Sequence, residues 1–102
     1  MKYTGFDLQF INGDWVKGSA EGEIKVSNPF NQETILSVST ASKKDVDVAY
    51  TGAEKAQQSW GKLLPQERAA VLKKLIQVMD ARYGELHEWL VNEAGSTALK
   101  AH

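Results

Sequence analysis

The sequence contains no cysteine. Disulfides, thiolate metal sites and a cysteine nucleophile are therefore excluded within its 102 residues. Long apolar runs are also missing. None approaches the ~20 residues of a membrane span, and the opening MKYTGFDLQF has one early lysine but no apolar core of signal-peptide length. The expected address is the cytoplasm. Neither charge sign dominates, since 12 Lys and Arg stand against 13 Asp and Glu. No field draws in nucleic acid or anionic lipid, so neither a nucleic-acid nor a membrane partner is expected. The phosphate-cradling patterns G-x-G-x-x-G and G-x-x-x-x-G-K-[ST] do not occur. No internal repeat or low-complexity tract is present.

What the chain does have is one long amphipathic stretch, Pro65 to Gly95. Leu72, Ile76, Met79, Tyr83, Leu86 and Leu90 recur at spacings of four, three, four, three and four, which places them on one helical stripe. Val71, Leu75, Val78 and Trp89 widen it, while Lys73, Lys74, Gln77, Asp80, Glu85 and Glu88 fall largely off it. A domain of this size buries only roughly 60 to 68% of its unfolded surface. So wide a stripe asks for more partner surface than the chain can readily supply.

Ahead of this stretch, residues 1–7 read as a flexible lead-in, and LQFINGDWVKG reads as a β-hairpin. Asn12-Gly13 tolerates the positive φ angles of a two-residue turn, and Phe10, Ile11, Trp15 and Val16 suit a half-buried pleated surface. A short strand follows over Ile24 to Ser27, stopped by Asn28-Pro29 because proline cannot donate to a ladder. After the Asn31-Gln32-Glu33 turn, Thr34 to Thr40 reads as another strand, with Leu36 and Val38 on one face.

The period then changes from two to 3.6. Ser42 and Asp45 form a capping-box pattern, so a helix should begin near Lys43. Val46, Ala49, Ala53, Ala56 and Trp60 line its apolar face, and Gly61 ends it. Pro65 suits the first turn of the next helix. Gly84 costs about 1 kcal/mol relative to alanine inside a helix, so a kink or break is expected near Arg82 to Gly84. Gly95 closes the second helix, and Ser96 to Lys100 begins a further one.

Catalytic constellations are scarce. His87-Glu88 opens the pattern H-E-x-x-H, but Val91 stands where the second histidine must be, so His87 is expected on a helix surface. Serines and aspartates are not ordered into a nucleophile, base and orienting acid. Trp15, Trp60 and Trp89 are expected in the core, Lys73-Lys74 on a solvated face, and Asp45 and Glu93 as exposed or capping carboxylates. No catalytic and no cofactor-binding residue is assigned.

The order of these landmarks resembles the amino-terminal part of the NAD(P)-dependent aldehyde dehydrogenase superfamily. The resemblance rests on INGxW at Ile11 to Trp15, NP at Asn28-Pro29, VxxAYxxAxxAQxxW at Val46 to Trp60 and PxxRxxxL at Pro65 to Leu72. Glu85-Leu86 and the ExG of Glu93 to Gly95 complete it, so that it covers essentially residues 8 to 101. Ser96 and Thr97 depart from the lysine and proline common in the family, and GST is similar to the benzaldehyde and vanillin dehydrogenase branch.

The resemblance implies a whole protein of α/β class with a Rossmann-type cofactor domain. Residues 8–102 would be the amino-terminal part of that domain, a hairpin and short strands followed by long amphipathic helices, cut at the start of a further helix. The whole enzyme would oxidise an aldehyde to a carboxylic acid with NAD or NADP. It would do so by thiolate attack through a thiohemiacetal on a downstream cysteine, hydride transfer and glutamate-assisted thioester hydrolysis. Implied partners are the aldehyde, the remainder of its own chain and further copies in a homo-oligomer, and this segment alone is expected to be inactive. Some relatives bind a monovalent cation, which maps here to backbone carbonyls of Val26 and Ser27 and the carboxylate of Glu93. Oxygen-only ligation suits a hard cation. The alternative is a freestanding helical module that buries its stripe by self-association or on a partner, with no chemistry of its own.

Overall fold

A computed structural model describes residues 5–102. Strand β1 (Gln9–Ile11) pairs antiparallel with β2 (Asp14–Val16), setting Phe10 opposite Trp15 and Ile11 opposite Asp14. Asn12 and Gly13 have φ of 54° and 85°, as a two-residue hairpin turn with right-handed strand twist requires. Strand β3 (Glu23–Ser27) pairs antiparallel with β4 (Thr34–Ser39). Val26 faces Leu36 but Ser27 faces Thr34, so Ile35 is an extra residue that bends the end of this hairpin. Its tip is tied by Asn28 Oδ1, which accepts from the Phe30 N–H at 2.9 Å, and by Gln32 Nε2, which donates to the Pro29 carbonyl at 2.9 Å. Phe30 itself points outward, 94% exposed.

The two hairpins meet at Gly18. A β-carbon there would lie 2.3 Å from the Ser39 carbonyl oxygen and 2.4 Å from that of Thr40, so only glycine fits. Gln9 Nε2 donates to the Ser39 carbonyl at 3.2 Å, and the Ala20 N–H donates to that of Thr40 at 3.1 Å, closing the junction.

Helix α1 (Lys43–Trp60) starts with the anticipated capping box: Ser42 Oγ accepts from the Asp45 N–H at 3.1 Å, and the Asp45 carboxylate accepts from the Ser42 N–H at 2.9 Å. Gly61 donates back to Gln57 at 2.8 Å at the other end. Helix α2 (Pro65–Ala81) opens with proline at its first position. Leu64 has no side-chain acceptor, so only the reciprocal half of a box forms there, with Glu67 accepting from the Leu64 N–H at 2.7 Å. The expected break falls on one residue, Arg82, at φ −108° and ψ 19°, and α3 (Tyr83–Asn92) follows at once with Gly84 in its first turn. Arg82 pairs with Glu85 at 2.5 Å across the break. Gly95 at φ 68° and a Ser96 N–H bond to the Leu90 carbonyl at 3.0 Å close α3. The further helix is a single turn, in which the Lys100 and Ala101 N–H groups both reach the Thr97 carbonyl.

Almost nothing is buried. Among the described residues the only buried apolar side chain is Ala101, at 8% exposure, and none of the stripe reaches the interior. Leu72 and Ile76 are each 57% exposed. The tryptophans depart from the expected core as well. Trp15 is exposed against Phe10, with ring centroids 5.1 Å apart, and Trp60 and Trp89 are half-buried. His87 is half-buried rather than on the open surface, with Nε2 3.1 Å from the Ala98 carbonyl oxygen. Phe6, within the stretch read as a lead-in, meets Trp89 edge-on at 4.9 Å. Residues 1–4 of that stretch lie outside the described residues.

Candidate functional site

Two concavities and three polar clusters could carry function. The smaller concavity, about 360 Å³, lies between the β3–β4 hairpin and α3 and is lined by Phe6, Val26, Leu36, Val38, Trp89 and Glu93. The strand period brings Val26, Leu36 and Val38 to it from a single sheet face. The α3 end is clipped beside the hairpin. Asn28 Nδ2 donates to Asn92 Oδ1 at 3.4 Å across 64 residues of sequence, and Asn92 Nδ2 donates to the Glu88 carbonyl at 2.9 Å. A β-carbon on Gly95 would stand 2.8 Å from Pro29 Cγ, so the turn around Gly95 lies directly on the proline.

Val26 and Glu93, assigned from opposite ends of the chain, thus share one cavity wall. Ser27 is the next residue on β3. Glu93 is the C-cap residue of α3, where the negative end of the helix dipole favours a positive charge. Among the described residues no group of three His, Cys, Asp or Glu side chains could hold a metal.

The larger concavity, about 1050 Å³, opens between the first hairpin and α1, from Phe10 and Ile11 to Val48 and Ala56, with Lys44 and Lys55 also lining it. The hairpin tip reaches the helix at Gly52. A β-carbon on that residue would come 1.6 Å from Asn12 Oδ1, so the side chain of the turn occupies the space that glycine leaves.

The polar clusters are structural in character. Ser19 donates to the Asp45 carboxylate through its N–H and its hydroxyl, each at 2.8 Å, and its hydroxyl is 2.7 Å from that of Ser42. The Ser19 N–H, then the Ser42 N–H and the Ser19 hydroxyl, hold the Asp45 carboxyl down at about 2, below its ordinary 3.8. A carboxylate so stabilised is a poor proton acceptor, so this triad caps a helix and pins a loop rather than activating a serine. Hydrogen bonding with Glu85 raises the Arg82 guanidinium, and the same pairing lowers Glu85, at a helix junction outside both concavities. Tyr83 hydroxyl meets His102 Nδ1, and the Tyr83 ring lies 5.9 Å from that of His87.

The Asn28–Asn92 clip and the Phe6–Trp89 pair are not announced by the sequence, in which Asn28-Pro29 reads as a strand stop and as one landmark of the family resemblance. Their one legible signal was the pairing of NP with ExG, and it says nothing of contact.

Comparison with known protein families matches residues 15–102 to the aldehyde dehydrogenase family. A vanillin dehydrogenase of Corynebacterium glutamicum is 34% identical over 98% of this chain and 21% of its own length. A benzaldehyde dehydrogenase of Bacillus subtilis is 31% identical, again over 98% of this chain and 21% of its own length. Among solved structures, an NAD-dependent benzaldehyde dehydrogenase from Corynebacterium glutamicum superposes with a TM-score of 0.90 at 33% identity, covering 98% of this chain and 22% of that one. The chain spans about a fifth of the length of the curated relatives it matches. The second hairpin, the three helices and the single-residue break all lie within the matched span, and by that match the chain belongs to the aldehyde dehydrogenase family.

Proposed function

We propose that these residues are the amino-terminal part of an NAD(P)-dependent aldehyde dehydrogenase that oxidises an aldehyde to the carboxylic acid. The observation that carries this reading is the match to the family from Trp15 to His102, joined to superposition on a solved benzaldehyde dehydrogenase. The nicotinamide cofactor, when bound, accepts hydride from the substrate carbon. The cysteine nucleophile and the glutamate that assists thioester hydrolysis belong to polypeptide outside these residues. The part played here is support, with two hairpins and three helices shaping one edge of the cofactor domain. The remainder of its own chain is thus its first partner. A cytoplasmic address and a homo-oligomer belong to the same proposal. Relatives at 34%, 31% and 36% identity are named for vanillin, benzaldehyde and α-ketoglutaric semialdehyde, so the substrate is proposed as an aldehyde without narrower class.

The cation site belongs to this reading. The carbonyls of Val26 and Ser27 and the carboxylate of Glu93 supply the oxygens, and the shared cavity wall of Val26 and Glu93 supports it. The test of the function is reduced-nicotinamide absorbance from the purified full-length protein with a panel of aldehydes and both cofactors; no turnover with any of them refutes it. Glu93→Gln in that protein is expected to abolish any dependence of thermal stability on potassium chloride relative to choline chloride. An unchanged dependence would remove Glu93 from the site.

A second reading, a freestanding helical module, draws on the exposed α2–α3 stripe. The two differ in the mass of the native product, which the enzyme reading places several-fold above 11.3 kDa.

A further inference from the structure

Asparagine followed by glycine is a pair whose main chain readily turns on its own side chain, and Asn12-Gly13 is the only such pair in the chain. Glycine has no β-carbon to shield its nitrogen, so the Gly13 nitrogen, once it sheds its proton, can attack Asn12 Cγ. A bond forms between Gly13 N and Asn12 Cγ, the Cγ–Nδ2 bond breaks, and Nδ2 leaves as ammonia with the proton that Gly13 gave up. The five-membered succinimide then takes up one water. Opening at one carbonyl leaves aspartate; opening at the other leaves isoaspartate, whose main chain is longer by one methylene. Asn12 and Gly13 are both exposed, so water reaches the ring.

The fold sets two obstacles to this step. Ile11 pairs with Asp14, so Asn12 and Gly13 form a two-residue loop, and positive φ at both, 54° and 85°, makes it a type I′ turn. That turn, the mirror image of type I, holds ψ of its first residue near about +30°. The Asn12 β-carbon then stands nearly anti to the Gly13 nitrogen across the Cα–C bond, whereas ring closure needs the two nearly eclipsed. The second obstacle is the seat of the side chain. A β-carbon on Gly52 would lie 1.6 Å from Asn12 Oδ1, 2.7 Å from Cγ and 3.2 Å from Nδ2, so the carboxamide rests directly on α1. Glycine inside a helix costs about 1 kcal/mol relative to alanine, and Gly52 stands well inside α1. The room it leaves is filled by this one side chain.

We propose that Asn12 is a self-modification site of this chain, a succinimide-forming asparagine that its seat on Gly52 holds shut while the first hairpin rests on α1. Conversion then waits for the hairpin tip to lift. The other end of the hairpin is tied by Gln9 Nε2, which donates to the Ser39 carbonyl at 3.2 Å, and this bond limits how often lifting occurs. Isoaspartate prevents the return, because a main chain longer by one methylene no longer fits a two-residue turn. The reaction needs no substrate turnover, so the proposal stands or falls apart from the dehydrogenase reading.

The test incubates the full-length protein in mildly alkaline buffer, folded and in urea, and follows the peptide carrying Asn12 by mass spectrometry, with aspartate and isoaspartate separated by chromatography. Conversion in the folded protein is expected to be at least about 10-fold slower than in urea, since it proceeds only through local opening. Gly52→Ala fills the seat, and is expected to raise the folded rate roughly 3-fold or more while leaving the rate in urea unchanged. Equal rates in the folded and unfolded protein overturn the proposal. So does a folded Gly52→Ala rate equal to that of the unaltered protein, which would leave the turn as the sole lock. If Gly52→Ala does not fold, Gln9→Ala, which frees the other end of the hairpin, takes its place with the same expectation. Gly13→Ala shields the attacking nitrogen and is expected to slow conversion in urea roughly 10-fold; an unchanged rate there would exclude the succinimide and overturn the proposal.

Discussion

Gly18 shows how much one missing methyl group can decide. With two backbone carbonyl oxygens within 2.4 Å of where its β-carbon would stand, and backbone unable to swing aside, Gly18→Ala forces the two hairpins apart. The expected loss is about 1–3 kcal/mol, the usual cost of overpacking, read as a lowered urea midpoint of the full-length protein. Asp45 offers a test of sign. Its carboxyl is lower in the folded chain than its ordinary value, so the stability it contributes is complete above pH ~4 and is lost as pH falls through about 2. Asp45→Asn is therefore expected to flatten the part of the acid-unfolding curve between those limits. An unchanged curve would mean that the Ser19 and Ser42 bonds do not persist in solution. Arg82 and Glu85 also pair, but Arg82 is exposed and Glu85 only partly covered, so their bond is expected to matter little.

Among the elements, α3 has room for a stabilising change at Gly84. Gly84 lies within the first turn of α3, and a β-carbon there meets nothing within 4 Å. Gly84→Ala is expected to stabilise the protein by about 0.4–1 kcal/mol by restricting the unfolded chain, visible as a raised melting temperature. The break at Arg82 should survive that change. The elements themselves were legible because their signals are local: Asn12-Gly13 sets a turn, Ser42 with Asp45 starts a helix, and Pro65 opens another. What joins the elements was not legible. Gln9 to Ser39, Asn12 over Gly52 and Asn28 to Asn92 are contacts between residues of ordinary type, and no periodicity announces them. Trp15 departs from expectation too, since its size argues for burial while it stands exposed against Phe10. The proposed cation ligands divide along this line: Glu93 and Val26 line one cavity, and the clip that holds the hairpin beside α3 is the Asn28–Asn92 hydrogen bond.

At the scale of the whole molecule, local order and missing interior stand side by side. The starts of α1 and α2 each gain a hydrogen bond from a residue three positions away, yet the apolar surface of the helices faces outward. Secondary structure of this kind forms early, because its contacts need little loop closure. In a polypeptide of the relatives' length, about 380 residues would follow, and a ribosome adding about 5–20 residues per second would need roughly 20–80 s to deliver them. Throughout that interval the emerging chain would hold finished helices with a greasy flank turned to solvent. Such a nascent segment would be open to aggregation for as long as the rest of the chain was being made, so that the pace of translation would bear on the yield of folded protein.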